Sequence, residues 1–374
     1  MHGKVVMSKL QRAIGLMSGT SMDGIDVALI DTDGDRALHR GPSASYPYPA
    51  ALKVGLRAAI QDARTLNERA QRPGCLEDVE RTLTQLNVEA VDRFLRANGI
   101  DKAQIDLIGY HGQTVLHDAP RRLTVQLGNG RLLADCTGVD VVFDLRAADV
   151  AAGGQGAPLV PVYHRALAAH VPELPAAFLN VGGVANVTWI GRDGRMLAFD
   201  TGPGNALIDD WVQAHTGDTH DADGAIAARG QCNPDALQEL LTNSYFGALP
   251  PKSLDRDEFS SAPVKGLSLE DGAATLAAFT AAAVGRAREH MPEEPRIWVV
   301  CGGGRKNKTL MALIAANVQN AVVPSEALGF DGDFIEAEAW AYLAVRSSLK
   351  LPITFPETTG APQAMTGGIL LSPS

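Results

Sequence analysis

The hydrophobic and polar positions along the chain fall into two kinds of segment. Short apolar runs bounded by turn residues predict strands, and apolar positions three and four residues apart predict helices. In the first half the predicted strands are 13–18, 25–31, a third after Asp33-Gly34, 106–110 and 139–144. The predicted helices there are 50–65, 76–98 and 158–170, the last with Pro158 in the first helical position.

A similar order begins again in the second half of the chain. Predicted strands lie at 176–182, 185–190, 195–200, 296–301 and 319–323. Predicted helices lie at about 205–215, 234–243, 268–291, 307–317 and 332–348. Alternating strands and helices of this kind predict an α/β protein.

Both halves open with a strand, a glycine-rich turn, a second strand, an Asp-Gly turn and a third strand. This shared order favours a duplicated α/β domain with a ligand cleft between the copies, although any three-stranded meander has the same order. We expect a first domain of 1–171 with about 349–374, and a second of 172–348. The first would contain the glycine-rich turn at 19–24, and the second would contain Asp200 and the glycines at 302–304.

Composition narrows the class of protein. The 374 residues include 33 basic and 43 acidic side chains, a formal net charge of −10, which argues against a nucleic-acid partner. Apolar runs fall short of the ~18 residues of a membrane span, and Met1 to Gln11 lacks the apolar core of a signal peptide. The four widely spaced cysteines indicate reduced thiols and no zinc site. We therefore expect a cytoplasmic protein.

The first glycine-rich segment, 19–24, lies between two predicted strands. Its backbone N–H groups and hydroxyls would suit an anion, but it lacks the GK[ST] of a Walker loop. The alternative is a plain hairpin turn with Gly24 at positive φ.

The second segment, 200–205, lies between a strand and a helix. Asn205 is a candidate N-cap, and free N–H groups at the helix start would favour phosphate. Asp200 at the carboxyl end of its strand could accept a proton from a nucleophile. The alternative is that Asp200 merely caps the turn.

The third segment, 301–304, places three glycines after an apolar strand. A surface without side chains would suit a planar base such as adenine. A flexible strand–helix connection is the alternative.

Several long motifs together resemble the anhydro-N-acetylmuramic acid kinases. They occur in family order from residue 14 to about 310, and a last one extends the match to residue 362. The motifs are IGLMSGTSMDGIDVAL, GYHGQTVLH, DLRAADVAAGGQGAPLVP, LNVGGVANVT, FDTGPGNALIDDW, VCGGGRKN and ETTGAP.

The resemblance implies the sugar kinase/actin fold, with two α/β domains (mixed sheets flanked by helices) and a cleft that closes on ATP. It also implies a reaction in the recycling of cell-wall (peptidoglycan) sugars. ATP, water and 1,6-anhydro-N-acetylmuramic acid would give N-acetylmuramic acid 6-phosphate and ADP. A homodimer is expected from the family.

The resemblance also assigns roles to residues. Asp200 would be the catalytic base that deprotonates water. The ATP site would consist of Gly19, Thr20, Ser21, Met22, Asp23, Gly24, Ile25, Asp26, Gly202, Gly204, Asn205, Gly302, Gly303 and Gly304. Asp23 and Asp26 would hold Mg²⁺ through water. The sugar would contact His111, Gln113, Thr114, Arg146, Gln155 and Glu336.

Some of these residues could instead have purely structural roles. His111 could be a buried structural histidine, and Glu336 an exposed helical carboxylate. Arg146 could bind the lactyl carboxylate of the sugar or pair with Asp149.

The chain also departs from the family pattern. It has PKSLDRD at 251–257 where the family often has PKSTGRE, which affects substrate preference if that loop touches the sugar. Two other functions therefore stay open: a kinase for another anhydrosugar such as levoglucosan, and a non-catalytic actin-like nucleotide-binding protein.

Overall fold

The computed structural model describes residues 9–19, 21–255 and 258–374. Thr20, a predicted ATP-site residue, lies outside the described residues, as do two residues of the PKSLDRD segment. The chain divides into two compact units. Unit 1 comprises the described residues of Met1–Ala169 together with Phe334–Ser374, and unit 2 is His170–Asp333.

Strands and helices alternate through both units. The strands are β1 (Gln11–Met17), β2 (Gly24–Thr32), β3 (Leu38–Pro47), β4 (Leu107–Tyr110), β5 (Gln113–Asp118), β6 (Leu123–Leu127), β7 (Val141–Phe143), β8 (Ala176–Val181), β9 (Val184–Ile190), β10 (Met196–Pro203), β11 (Ile297–Cys301), β12 (Ala321–Pro324) and β13 (Ile369–Leu371). The helices are α1 (Ala50–Ala63), α2 (Leu76–Ala97), α3 (Gly130–Thr137), α4 (Ala147–Ala152), α5 (Pro161–Leu167), α6 (Ala206–Thr216), α7 (Pro234–Leu240), α8 (Leu269–Ala287), α9 (Lys308–Val318), α10 (Ile335–Ser348) and α11 (Pro356–Thr359).

The two units repeat one strand topology. The sheet of unit 1 has the order β3-β2-β1-β4-β7-β13, and that of unit 2 the order β10-β9-β8-β11-β12. In each sheet, the first three strands in chain order form an antiparallel meander. The fourth strand of the sheet pairs in parallel with the first, and the fifth pairs in parallel with the fourth. The repeat confirms the duplicated α/β fold predicted from the sequence.

Each unit has its own apolar core. In unit 1 the buried faces of β1, β2 and β4 pack with α1 and α2, whose apolar stripes include Leu56 and Phe94. In unit 2, Trp189 and Trp298 lie in the core between the sheet and helices α8 and α9. Burial of these stripes, rather than helix propensity, stabilises the helices.

Helix α10 lies against β1 and β4 at two glycines. Gly15 and Gly109 are register partners on these neighbouring strands. A Cβ at Gly15 would overlap the backbone oxygen of Ala337, and one at Gly109 the backbone oxygen of Trp340. The missing side chains let the helix backbone approach the sheet, which positions the residues of its first two turns.

Two sequence expectations need correction. Helix α10 was expected in the second domain, but it packs on the unit 1 sheet, so unit 1 resumes at Phe334 rather than near 349. The helix expected from Pro158 begins at Pro161, which satisfies the same preference for proline in the first turn. The hairpin β5–β6 was not predicted.

Candidate active site

The turn between β1 and β2 is shaped by a residue in the left-handed region. That residue is Met22, with φ 55°, and not Gly24 as the hairpin alternative expected. The Met22 N–H donates to the Gly19 carbonyl over 3.2 Å. Gln113 Nε2 donates to the same carbonyl, also over 3.2 Å. The turn is therefore held from within and by a side chain of β5.

The two glycines of this turn serve different purposes. A Cβ at Gly24 would overlap the Tyr46 carbonyl oxygen on β3, so the sheet itself requires a glycine there. A Cβ at Gly19 would meet only Ser21 Oγ, at 3.6 Å. Folding does not demand a glycine at position 19, which is consistent with a backbone left bare for a ligand.

Other residues of the predicted ATP segment lie in distinct environments. Ile25 is buried in the core of unit 1, and Met22 packs against that core. Ser21 and Asp23 are exposed, and Asp26 is half-buried with a hydrogen bond from Ser45. Among the described residues of this segment, solvent therefore reaches the polar groups of Ser21 and Asp23 and part of Asp26.

The side chains of His111, Arg146 and Trp340 form a stacked cluster in unit 1. His111 stacks on Trp340 of α10 with ring centroids 4.9 Å apart. The Arg146 guanidinium lies 5.1 Å from the centre of the same indole. The sequence motifs pointed to His111 and Arg146 but not to Trp340, because only the packing of α10 brings it there.

The hydrogen bonds of His111 define its tautomer. Nδ1 donates to the Gly112 carbonyl over 2.7 Å, and Nε2 accepts from Arg146 over 3.2 Å. Burial, and then the Arg146 charge, lower the pKa of His111 to about 3. The ring is therefore neutral at physiological pH and acts as an orienting acceptor for Arg146.

The guanidinium of Arg146 is fixed by two hydrogen bonds, but no carboxylate of the described residues lies within 4 Å of it. Its other terminal nitrogen donates to the Gly156 carbonyl over 2.8 Å, and its buried Nε has no hydrogen-bond partner. Desolvation lowers its pKa to about 10, against the opposing charges of Glu336 and Asp149, so it stays charged at neutral pH. The expected alternative of pairing with Asp149 is wrong.

Asp149 instead fixes the loop that carries Gln155. Its Oδ2 accepts from the Gly156 N–H over 2.6 Å, and its Oδ1 accepts from Thr359 Oγ1 over 2.7 Å. The Gln155 N–H donates to the Thr359 carbonyl over 2.6 Å. The AGGQGAP and ETTGAP motifs, some 200 residues apart, thus meet at one buried carboxylate.

Gln113 and Thr114 belong to β5, but only one is fully enclosed. Gln113 is buried, and its Oε1 has no hydrogen-bond partner. Thr114 accepts from Gln126 Nε2 of β6 over 3.2 Å. Because a buried oxygen without a partner is costly, Gln113 Oε1 is a candidate acceptor for a ligand donor or a water.

Glu336 lies in the first turn of α10. Solvent reaches its carboxylate, yet the surrounding protein desolvates it enough to raise its pKa. The Arg146 charge opposes that rise, and the Asp26 charge adds to it. Glu336 therefore shares an electrostatic environment with two other predicted site residues of unit 1.

In unit 2, Asp200 lies on β10 beside a register shift between Asp200 and Gly202. Its Oδ2 accepts the backbone N–H of Leu254 over 2.7 Å. The structure records no hydrogen bond to its Oδ1 from any described residue. One carboxylate oxygen is held in place while the other is left for a further partner.

Burial raises the pKa of Asp200 to about 7, and the Leu254 N–H partly offsets that rise. A carboxylate with a pKa near the working pH combines a substantial ionised fraction with useful basicity. This is the property expected of a general base. Because Asp200 Oδ2 also accepts a backbone N–H, the role of Asp200 as a base stays a prediction.

Sequence reasoning missed two neighbours of Asp200. Tyr245 donates its hydroxyl to the Asp200 carbonyl over 2.7 Å, and the Asp200 N–H donates to the Lys252 carbonyl over 3.0 Å. Lys252 belongs to the PKSLDRD segment, whose departure from the family pattern was noted. That departure was the only sequence signal of this contact.

The expected anion site at the start of α6 needs correction. The N–H groups of Gly204, Asn205 and Ala206 donate to the carbonyls of Gly182 and Gly183, so they are not available to a phosphate. Asn205 occupies the N-cap position but makes no capping bond. Its Nδ2 donates to the carbonyls of β8 and the following turn. A nucleotide contact of Gly202, Gly204 or Asn205 stays a prediction and would need other groups.

In the third glycine-rich segment, the fold requires a glycine at two positions but not at the third. Gly302 has φ 72°, and a Cβ at Gly304 would overlap Val181. At Gly303 a Cβ would meet nothing nearer than Asn205 Nδ2 at 4.0 Å. Arg305 donates to the Gly302 carbonyl over 2.9 Å. The segment is a rigid turn with one bare glycine.

No cluster of three or more metal-ligating His, Cys, Asp or Glu side chains occurs among the described residues. Within the same part of the chain, no helix has the length and apolar character needed to cross a bilayer.

The family of the chain follows from its similarity to known proteins. The two α/β units, whose main sheets share one order of strands, define a duplicated α/β fold. The family model for anhydro-N-acetylmuramic acid kinase matches residues 11–372. The chain belongs to the anhydro-N-acetylmuramic acid kinase family.

Two curated relatives carry that family name. One, from Paramagnetospirillum magneticum, is 52% identical over 95% of this chain and 98% of its own length. Another, from Agrobacterium fabrum, is 49% identical over 98% of this chain and all of its own. Among solved structures, the activator of the 2-hydroxyisocaproyl-CoA dehydratase from Clostridium difficile with bound ADPNP aligns with 91% of this chain and 96% of its own, at 12% identity and a TM-score of 0.48.

Proposed function

We propose that this chain uses ATP and water to convert 1,6-anhydro-N-acetylmuramic acid into N-acetylmuramic acid 6-phosphate and ADP. The membership of the family and the full-length relatives support this assignment. The observation that carries the chemistry is Asp200, a half-buried carboxylate with a pKa of about 7 and one oxygen without a partner among the described residues.

The bonds of this reaction balance as follows. A 1,6-anhydro bridge leaves the sugar without a free 6-hydroxyl. Asp200 takes a proton from water, and the water oxygen forms a bond to the anomeric carbon. The bond between that carbon and the bridge oxygen breaks, and the bridge oxygen, now the 6-oxygen, bonds to the γ-phosphorus of ATP. The bond between the γ-phosphorus and the ADP oxygen breaks.

The base in this reaction must act on water rather than on a sugar hydroxyl. Oδ2 of Asp200 is committed to the Leu254 amide, so Oδ1 is the atom we assign to the water. A water within hydrogen-bond reach of a base with this pKa can be deprotonated as the carbon–oxygen bond forms.

The β1–β2 turn is our candidate for the ATP phosphates. The bare backbone at Gly19 and the accessible Ser21 support that role. For the adenosine we favour the turn at Gly302–Gly304, where the open side of Gly303 leaves room for a planar base.

For the sugar we propose the unit 1 cluster around Arg146. Its guanidinium is fixed by Gly156 and His111 and lacks a carboxylate partner within 4 Å among the described residues, so the lactyl carboxylate is a fitting anion. The Gln113 Oε1 acceptor and the accessible Glu336 carboxylate suit the hydroxyl and amide donors of the sugar.

Asp23 and Asp26 are our candidate Mg²⁺ ligands, because Mg²⁺ needs few protein ligands in a kinase. Such an ion keeps most of its waters and uses one or two carboxylates together with the substrate phosphates. Asp23 is exposed and Asp26 half-buried beside the β1–β2 turn, so either can hold a coordinated water. The ion would neutralise phosphate charge during transfer.

We place this reaction in the cytoplasm, where ATP is available, and regard the four unbridged cysteines as consistent with that compartment. A homodimer remains a prediction from the family alone.

A transfer assay with two acceptors tests the assignment. The purified chain is incubated with γ-labelled ATP and either 1,6-anhydro-N-acetylmuramic acid or levoglucosan, which lacks the lactyl and N-acetyl groups. We expect label transfer to the first sugar only. Preferred transfer to levoglucosan would favour the alternative kinase. Transfer to neither, with ATP still bound, would favour a non-catalytic nucleotide-binding protein.

A further inference from the structure

The main chain of Asp200 is held by a segment about 50 residues further along the chain. The Asp200 N–H donates to the Lys252 carbonyl over 3.0 Å. The Asp200 carbonyl accepts the Tyr245 hydroxyl over 2.7 Å. Both backbone polar groups of the candidate base therefore depend on residues 245–254 rather than on strand pairing alone.

The side chain of Lys252 closes this arrangement into a ring. Its Nζ donates to the Tyr245 carbonyl over 3.1 Å and lies 4.6 Å from the centre of the Tyr245 ring. The Phe199 ring, on the strand residue next to Asp200, has its centre 5.9 Å from the same Nζ. Three hydrogen bonds thus run from Asp200 to Lys252, from Lys252 to Tyr245, and from Tyr245 back to Asp200.

The cation of Lys252 is not explained by an ion pair. It is half-buried, and within the described ranges no carboxylate lies within 4 Å of its Nζ. A partly desolvated ammonium group is costly unless polar or aromatic groups compensate it, and here the carbonyl and the ring of Tyr245 do so. The Lys252 side chain thereby connects the two ends of the 245–254 segment.

We propose that Lys252 is a positioning residue that keeps the Leu254 amide on Asp200 Oδ2 and so sets how much of Asp200 is ionised at neutral pH. Leu254 follows Lys252 by two residues, so release of the lysine side chain loosens the amide donor. The inference rests on the proposed role of Asp200 as base, and adds a residue that acts through it.

The sign of the effect follows from the hydrogen bond. A donor to a carboxylate favours its ionised form, and the Leu254 N–H lowers the pKa of Asp200. Loss of that donor therefore raises the pKa further. Among the described residues, the titratable groups around Asp200 are Tyr245 and Lys252 on the facing segment, with Glu258 acting on Tyr245.

Removal of the Lys252 charge could raise the same pKa directly, so the variants must separate charge from position. Lys252→Arg keeps the charge and a donor. Tyr245→Phe keeps the Lys252 charge but opens the ring at the hydroxyl. Lys252→Met removes both charge and bond. Lys265→Met, at an exposed lysine in the same unit, is the matched control.

Two measurements are made on each full-length variant. The first is the pH dependence of kcat/KM for phosphoryl transfer to the anhydrosugar. The second is a ¹³C NMR titration of the aspartate carboxylates, with the Asp200 signal assigned by its absence from Asp200→Asn. The NMR titration does not require turnover, so failure of the proposed function is distinguishable from failure of this inference.

For Lys252→Met we expect the Asp200 midpoint to move up by about one pH unit, with about a tenfold loss of kcat/KM at pH 6. Tyr245→Phe should move it in the same direction by less. Lys252→Arg and Lys265→Met should leave it near the wild-type value. An unmoved Asp200 midpoint in folded Lys252→Met would overturn the inference. So would an unmoved midpoint in folded Tyr245→Phe, since a shift in Lys252→Met alone would reflect only the lost charge.

Discussion

The backbone N–H of Leu254 donates to Oδ2 of Asp200 over 2.7 Å, although 54 positions separate the two residues in the chain. This bond leaves one carboxylate oxygen for water and fixes the orientation of the carboxyl plane. Burial and this bond act on the pKa of Asp200 in opposite directions, and burial prevails.

Replacement of Asp200 by asparagine tests the assigned base. The Asp200→Asn side chain keeps the original size and an oxygen acceptor for Leu254 but loses basicity. We expect turnover to fall by about 10²–10⁴-fold while ATP affinity stays nearly unchanged. Steady-state kinetics and calorimetric titration of nucleotide check these two expectations. Near-normal turnover would remove Asp200 from the role.

The same variant has a predicted stability profile that serves as its control. The pKa of Asp200 is raised on folding, so the folded state binds the proton more tightly, and the wild type loses stability as pH rises from about 4 to about 7. Asp200→Asn lacks this loss. Its melting temperature relative to wild type should therefore be higher at pH 8 than at pH 4.

The pH dependence of activity follows from the same group. A base must be deprotonated to accept a proton, so kcat/KM should rise with pH through a midpoint near 7 and level off above it. His111, with a pKa of about 3, stays neutral in this range and does not change the pH profile of kcat/KM. A profile flat from pH 5 to 8 would contradict the assignment.

Substitution of Gly19 by Val tests the bare backbone of the β1–β2 turn. A Cβ at position 19 has room in the fold, since Ser21 Oγ at 3.6 Å is its nearest neighbour outside the adjoining residues. We expect ATP affinity to fall by about tenfold or more, equivalent to about 1.4 kcal/mol, with little change in sugar binding.

Gly24→Val provides the contrast, because its Cβ would overlap the Tyr46 carbonyl. That variant should be destabilised by about 1–3 kcal/mol or more. Equal losses of nucleotide and sugar binding in Gly19→Val would instead indicate a distorted hairpin.

Replacement of Arg146 by Lys tests recognition of the lactyl carboxylate. A lysine keeps the charge but cannot bond Gly156, His111 and a ligand with one planar fork. We expect KM for the anhydrosugar to rise about tenfold with a smaller change in kcat. Arg57→Lys, at an exposed arginine, is the control. An unchanged KM would mean that the sugar does not bind Arg146.

Much of the fold was predictable because local patterns carry it. The meander strands and the long helices α1, α2 and α8 follow from apolar spacing and turn residues, and the structure has them within a few residues of the predicted bounds. The short hairpin β5–β6 was missed, since Gln113 and Thr114 were considered only as ligand contacts.

The position of α10 depends on packing that spacing does not encode. Its apolar pattern predicted a helix but not which sheet it covers. Gly15 and Gly109, each inside an apolar strand, were the available signals, because a glycine in a strand interior often marks a close backbone approach.

The site divides in the same way. The motifs predicted Asp200, Arg146 and His111, because the acid, base and charge properties of these residue types can be read directly from the sequence. Trp340 and Lys252 act through tertiary contacts, and their residue types are common in ordinary cores and loops. At the start of α6, carbonyls of a neighbouring turn accept the N–H groups of Gly204, Asn205 and Ala206, a tertiary contact that the motif does not indicate.

The origin of the oxygen atoms in the product tests the central claim most directly. The reaction is run in ¹⁸O-water with 1,6-anhydro-N-acetylmuramic acid and ATP, and the label in the sugar phosphate is located by NMR and mass spectrometry. If Asp200 activates water against the anomeric carbon, the label appears on that carbon, and the 6-oxygen comes unlabelled from the bridge. Label at the 6-position or in the phosphoryl group would contradict the account.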